Sequence, residues 1–313
     1  MCIPLPIVGY RLTVMTAPTH ITVLLQETID ALQLSPGDTV FDGTFGGGGH
    51  SNRIADIIGP SGTLISLDRD QSVFNDATVA GLKQKCQFHF AVENFRYLEK
   101  VLNRFGAGTL LDGAVLDLGL SSTQLDVSGR GFSFLRNEPL QMTFAESDKE
   151  MNAEVVVNEW SEDTLRTILL GFGEERFASR IAKGIVLARE EKRITTTTEL
   201  VEIVKRSTPL WYHAKRIHPA TLTFQAIRMA VNGELNAVNE GLPKVIEFLK
   251  PGKRASIISF HSIEDRAVKY VIKEQAEAGK IKLVNKKPIV PSDEELSKNP
   301  RARSAKLRII EKL

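Results

Sequence analysis

The chain has 313 residues, of which 42% are hydrophobic and 25% charged, with a formal net charge of +2. That length suits about two soluble domains with full cores. No apolar run approaches the roughly 18 residues of a bilayer span, and the two distant cysteines, Cys2 and Cys86, match no metal spacing and argue against a disulfide. A reducing, cytoplasmic setting is expected. The start, MCIPLPIVGYRLTV, is broken by Pro4 and Pro6 and lacks a positive n-region, so residues 1–19 read as an extension ahead of a more natural beginning near Met15, not as a signal peptide.

Residues 20–34 carry apolar side chains at helical spacing, and Ser35-Pro36-Gly37-Asp38 is a turn. A first strand is predicted over 39–41, ending at Asp42, followed by Gly46 to Gly49 and a helix over 51–58 that Gly59-Pro60 stops. A second strand over 62–67 ends at Asp68. A helix over 71–82, a third strand over 86–92 before Asn94-Phe95, a helix over 98–105 and a fourth strand over 114–118 with Asp117 complete the series. This alternation predicts an α/β fold, a parallel sheet with helices on both faces.

The pattern then changes. Residues 127–216 show no buried strand, and Phe177, Ile181, Ile185 and Leu187 form an apolar stripe, so a helical insertion is predicted. Residues 218–249 return as helix, Pro251-Gly252 as a turn, 255–260 as a fifth strand and 265–278 as a helix. LRIIEK supplies a last strand. The expected organisation is an extension (1–19), a first part of a Rossmann-like domain (20–126), the insertion for substrate recognition (127–216), and a second part with a basic tail (217–313).

Charge is unevenly distributed. Residues 176–216 hold ten Lys/Arg and four Glu, and residues 281–313 hold nine Lys/Arg and four acids. Two basic regions on a near-neutral chain fit a nucleic-acid face, with solvated helix faces as the alternative.

The segment VFDGTFGGGGH, residues 40–50, is the most informative. Four glycines leave a backbone free to adopt positive φ and to lie against a ligand. A strand, a glycine turn and a helix build a nucleotide crevice in open α/β sheets. An acid before the glycines departs from the dinucleotide fingerprint and suits a positively charged ligand such as S-adenosylmethionine (SAM). A tight turn with Asp42 as a cap stays open on this segment alone. Strand ends carry further candidates: Asp68 for ribose hydroxyls, Phe95 as an apolar wall for adenine, and Asp117 with Ser121 where a transferred group would lie.

With HITVLLQE, DGTFGGGGH, LDRD, LDLGLSS before QLD, RGFSF, GEERFASRIAKGIV, HPAT with TFQA, ISFHSIEDR and NPRARSAKLR in this order, the sequence resembles the ribosomal RNA small-subunit methyltransferase H family, from about His20 to the C-terminus. The resemblance implies a class I SAM-dependent methyltransferase fold with an inserted helical domain. It implies N4-methylation of a decoding-centre cytidine in 16S rRNA, with the small (30S) ribosomal subunit as partner; a homodimer is left open. Carried over by motif, SAM contacts fall on Gly48, Gly49, His50, Asp68, Phe95, Asp117 and Gln124; Asp42 is added from its strand-end position. Other acceptors, or a non-catalytic ribosome assembly factor, remain alternatives.

The cytosine amine is a poor nucleophile because its lone pair is delocalised into the ring. No metal is called for, because a sulfonium is a good leaving group. The protein must align donor and acceptor and accept a hydrogen bond from the amine. Asp117 is expected to accept it, with the Leu118-Gly119 carbonyls and Ser121 as rivals. The base must leave its stack, so Phe132, Phe134, His218 and His261 are candidate pocket residues, although His261 before Ser262 and Glu264 also fits a helix start with Ser262 as the cap. Arg301, Arg303, Lys306 and Arg308 are candidate phosphate ligands. The sequence departs from the family at Thr123, Gly129, Gln141, Thr143, Phe144 and Leu222, which questions RNA docking more than fold or cofactor.

Overall fold

The protein is described here by a computed structural model, which covers residues 21–313 except 107, 122–123, 126–127 and 146–150. The expected extension, with Cys2 and Met15, the helix start at His20 and the departure at Thr123 lie outside the described residues.

Seven strands form the sheet: β1 (Thr39–Asp42), β2 (Thr63–Asp68), β3 (Gln87–Val92), β4 (Leu111–Asp117), β5 (Leu249–Ser259), β6 (Ile281–Leu283) and β7 (Lys306–Lys312). Their order is β3-β2-β1-β4-β5-β7-β6. The first five run parallel, and β7 lies antiparallel between β5 and β6. β4 is buried on both faces from Leu111 to Leu116, so its GAVL stretch reads as an apolar run without alternation. The helix Gly49–Ile58 packs Ile54, Ala55 and Ile58 against Val40 and Leu64 on one face. Helices Glu234–Phe248 and Ser262–Glu277 bury Leu242, Val245, Val268 and Ile272 on the other. The strand order reverses between β1 and β4, which opens a crevice beyond their carboxyl ends.

Between β4 and β5 the chain builds a second, helical core. Its helices are Ala153–Glu159, Glu162–Gly171, Ala178–Glu191, Thr197–Ser207, Leu210–His213 and Thr221–Asn232. Sequence-local caps start three of them: Asn152 and Ser161 accept from backbone N–H groups, and Thr196 forms a reciprocal capping box with Glu199. Ala220, Phe224, Ala226 and Ile227 join this core together with Ile181 and Leu200. The insertion's packing therefore runs past the expected limit at residue 216 to Gly233, whose φ of 59° separates two helices where one was expected.

Two local expectations are corrected, and one element was missed. Pro251-Gly252 is a bulge inside β5, where pairing with β4 jumps from Leu111–Leu249 to Gly113–Arg254. The helix expected over 71–82 is a 3-10 turn, Gln71–Val73, followed by a helix, Asp76–Lys85, capped by Asn75. β6, only three residues long, carries too little pattern to be read from sequence. No helix among the described residues is long and apolar enough to cross a membrane.

Candidate active site

A cavity of about 400 Å³ lies at the carboxyl ends of β1, β2, β4 and β5. Of the residues expected at a site, its lining brings together Gly49, His50, Asp68, Phe95, Asp117, Ser121, Gln124, His261 and Arg301. Asp42, Gly48, Phe132, His218 and Arg303 are not part of the lining.

The glycine turn is tied to the sheet by the acids beside it. Asp42 is fully buried; its Oδ2 accepts from Ser51 Oγ at 2.6 Å and its Oδ1 from Thr44 N at 3.1 Å. Burial pushes its carboxyl up to about 6 against those two hydrogen bonds, and the nearby Asp68 charge adds to the rise. Asp42 therefore braces the turn from behind instead of facing the cavity. Gly48 also works from behind: it takes φ 74°, and a Cβ there would sit 2.9 Å from the Phe45 ring. Gly49 opens the helix Gly49–Ile58, and its bare Cα faces Thr22 Oγ1.

Asp68 faces the cavity. Its Oδ2 accepts from Gly46 N at 2.8 Å and its Oδ1 from Asp70 N at 2.9 Å, which fixes the carboxylate and leaves each oxygen a second lone pair. That is an acceptor pair suited to two ribose hydroxyls. Phe95 is nearly buried, with its ring against Gly241 of the helix Glu234–Phe248, so it gives the cavity an apolar wall rooted in the main core. Gln124 Oε1 accepts from Ser121 N at 3.0 Å, and Ser121 Oγ accepts from Gln124 N at 3.2 Å. Ser121 is thus part of a reciprocal turn at the rim.

Asp117 ends β4. Its N–H donates to Thr44 Oγ1 at 2.6 Å, and its Oδ2 lies 3.7 Å from His50 Nδ1. Its Oδ1 is buried and accepts no hydrogen bond. Burial first, and then the charges of Asp42 and Glu264, hold this carboxyl well above the usual carboxylate range. A buried acceptor without a partner inside a cavity is a place for a ligand's donor.

His261, at the end of β5, is the N-cap of the helix Ser262–Glu277 in place of the expected Ser262: its Nδ1 accepts from Glu264 N at 3.2 Å. Glu264 is held below the ordinary range, because burial is outweighed by His261 and Arg228. Glu234, His261 and Glu264 bring ligand-type atoms within 4.8 Å of one another. Arg228 already occupies this cluster, donating to both Glu234 oxygens at 2.8 and 2.7 Å and lying 3.9 Å from Glu264. Sequence reading missed Arg228 and Glu234, since neither stands at a strand end.

The remaining RNA candidates fall elsewhere. Phe132 is buried in the inserted core, stacked on Phe144 at 5.6 Å. His218 stacks on Phe134 at 4.6 Å, and burial, with Lys205 and His213, lowers its pKa. Arg303 is exposed beside the cavity. Lys306 and Arg308, expected as phosphate ligands, instead neutralise Asp265 at 3.1 and 2.7 Å. Of the family departures, Phe144 lines the cavity beneath Arg69, whose guanidinium lies 5.2 Å from its ring centroid.

A 3-2-1-4-5-7-6 sheet with antiparallel β7, a glycine turn after β1 and acids at the ends of β2 and β4 define a class I SAM-dependent methyltransferase. The residues present fit the cofactor: a fixed carboxylate for the ribose at Asp68, an apolar wall at Phe95 and a carboxyl at Asp117 in the lining. The chain belongs to the MraW methylase family, whose model matches residues 17–313. It is a SAM-dependent rRNA methyltransferase. Solved structures give distant likenesses. An rRNA methylase from Streptococcus thermophilus is 10% identical, covering 94% of this chain and 98% of that one, at a TM-score of 0.42. TrmN from Thermus thermophilus is 12% identical over 93% of this chain and 48% of that one, at 0.43. Aeropyrum pernix fibrillarin with natively bound SAM is 12% identical over 90% and 73%, at 0.37.

Proposed function

We propose that the protein methylates N4 of a decoding-centre (P-site) cytidine in the 16S rRNA of the 30S ribosomal subunit, in the cytoplasm. The observation that carries this reading is Asp117 in the lining of the cofactor cavity, with a carboxyl whose Oδ1 lacks a hydrogen-bond partner. SAM supplies an electrophilic methyl group on a sulfonium. Gly49, His50, Asp68, Phe95 and Gln124 hold and orient it, while Asp42 and Gly48 shape the turn from behind. The Asp117 carboxylate would accept a hydrogen bond from the exocyclic amine and take up the proton that nitrogen loses as it attacks the methyl carbon. Ser121 places the β4 loop, and His261 and Arg301 face the incoming nucleotide from the cavity's other wall. Arg303, outside the lining, serves phosphate, and Phe132 and His218 support the RNA side from within the insertion.

The test is labelled SAM with unmodified 30S subunits, followed by nucleoside mass spectrometry. Label is expected in N4-methylcytidine. Label only in 5-methylcytidine, or none in cytidine, overturns the assignment. Asp117→Ala should lower turnover by at least about 100-fold with the fold intact, and full activity in that variant removes its role.

A further inference from the structure

The inserted unit presents an aromatic surface outside the cavity. Trp211 is 52% exposed, in the short helix Leu210–His213. Its ring is nevertheless held in place: Phe177 meets it edge-on at 5.7 Å and Tyr212 at 6.1 Å. Tyr212 is itself buried, with its hydroxyl donating to Glu175 Oε2 at 2.8 Å, so the support beneath Trp211 is anchored in the core. Cations surround the ring. Arg176 lies 5.1 Å and Lys215 5.4 Å from its centroid, and Arg180 is 5.8 Å from that of Phe177. Arg176, Arg180 and Lys215 are all exposed. The two acids of the adjoining loop are engaged elsewhere: Glu175 under Tyr212, and Glu174 with Arg266 at 2.5 Å and Ser262 Oγ at 3.2 Å. That last pair also locates the surface. Ser262 follows His261 of the cavity wall, so the loop that carries Glu174, two residues before Arg176, meets the chain beside that wall.

We propose that Trp211, with Arg176, Arg180 and Lys215, is a stacking platform for an unpaired nucleotide of the RNA substrate. An aromatic face offers stacking to any base, and the cations beside it match the flanking phosphates. Duplex RNA presents no free base face to such a platform. An acidic protein would satisfy the cations but not the exposed ring. The proposal deepens the RNA-substrate reading and rests on it. It does not depend on which atom is methylated.

The test uses the full-length protein with a single-stranded RNA of about 12 nucleotides, a duplex of equal phosphate number, and polyglutamate. Trp211 emission is isolated as the difference between wild type and Trp211→Phe. The single strand should quench it, and the duplex and polyglutamate should not. Trp211→Ala should weaken single-strand binding about tenfold, Trp211→Phe should recover most of that loss, and SAM affinity should be unchanged in both. Unchanged single-strand affinity in Trp211→Ala overturns the proposal, as does equal quenching by all three polyanions. If Trp211→Ala loses SAM binding through misfolding, the wild-type quenching pattern alone decides. A wild-type protein that binds no RNA at all fails the substrate reading itself, whereas a platform that fails while 30S methylation persists leaves that reading standing.

Discussion

Two aspartates at neighbouring strand ends do different work because their side chains point differently. Asp42 directs both oxygens into the protein, to Ser51 and Thr44. Asp117 lines the cavity, while its Oδ1 is buried and has no hydrogen-bond partner. A strand-end position in the sequence fixes where the Cα lies but not which face the carboxylate takes, so both looked like cofactor ligands. The Asp42 carboxyl titrates near about 6 in the fold, above its ordinary value of 3.8. Between those values the folded state holds a proton that the unfolded chain has released. The contribution is fully present below the unfolded value and is lost as pH rises through the folded one. Asp42→Asn, which cannot titrate, should therefore remove a decline in stability between roughly pH 4 and 6. The check is the urea midpoint of wild type and variant across that interval. A constant difference between the two would contradict the burial-driven rise.

At the scale of elements, the glycine turn was the most legible part of the molecule, because four successive glycines are disfavoured in both helix and strand and so mark a turn between them. Gly48 carries the test. At φ 74° an alanine is strained, and its Cβ also meets Phe45 Cζ at 2.9 Å. Gly59 shares a positive φ, 65°, but a Cβ there meets nothing within 4 Å. Gly59→Ala should cost about 1–2 kcal/mol from backbone strain alone. Gly48→Ala should cost more, and should also weaken SAM binding. Equal melting temperatures for the two variants would mean that the Phe45 ring yields freely. Less legible were elements whose signal depends on a partner. Pro251-Gly252 reads as a turn in isolation, and only the pairing of β5 with β4 turns it into a bulge. His261 was masked as a cap by Ser262, since serine is the commoner capping residue.

At the scale of the molecule, the sheet and the insertion have separate cores but share a buried seam. Arg130 of the insertion side pairs with Asp70 just beyond β2. Burial raises the Asp70 pKa, but Ser72 and Arg130 together outweigh it and hold the carboxyl low. Arg69 adds a bond to the Asn232 carbonyl at 2.7 Å, and Asn232 Nδ2 donates to the Met142 carbonyl at 2.7 Å. Arg130→Met strands the Asp70 charge and should destabilise the protein by about 3–5 kcal/mol. Adding Asp70→Asn should restore most of that loss, as read by denaturant unfolding. Two independent losses that simply add would show that the pair is not coupled. The seam was invisible in the sequence because Asp70 and Arg130 lie in different predicted units. The insertion's existence was legible from its missing strands. Its far boundary was not, because the helix Thr221–Asn232 has the same periodicity whichever core receives it.

β4 and β5 lie side by side at the centre of the sheet, yet residues 118–248 come between them in the chain. During synthesis at roughly 5–20 residues per second, the edge of β4 waits some 7–26 s for its neighbour. In that interval the intervening helices can settle around their own apolar centre, while the half-built sheet keeps an unpaired border. Nascent chains stalled just short of residue 249 are the species in which that border would recruit a chaperone or a second chain.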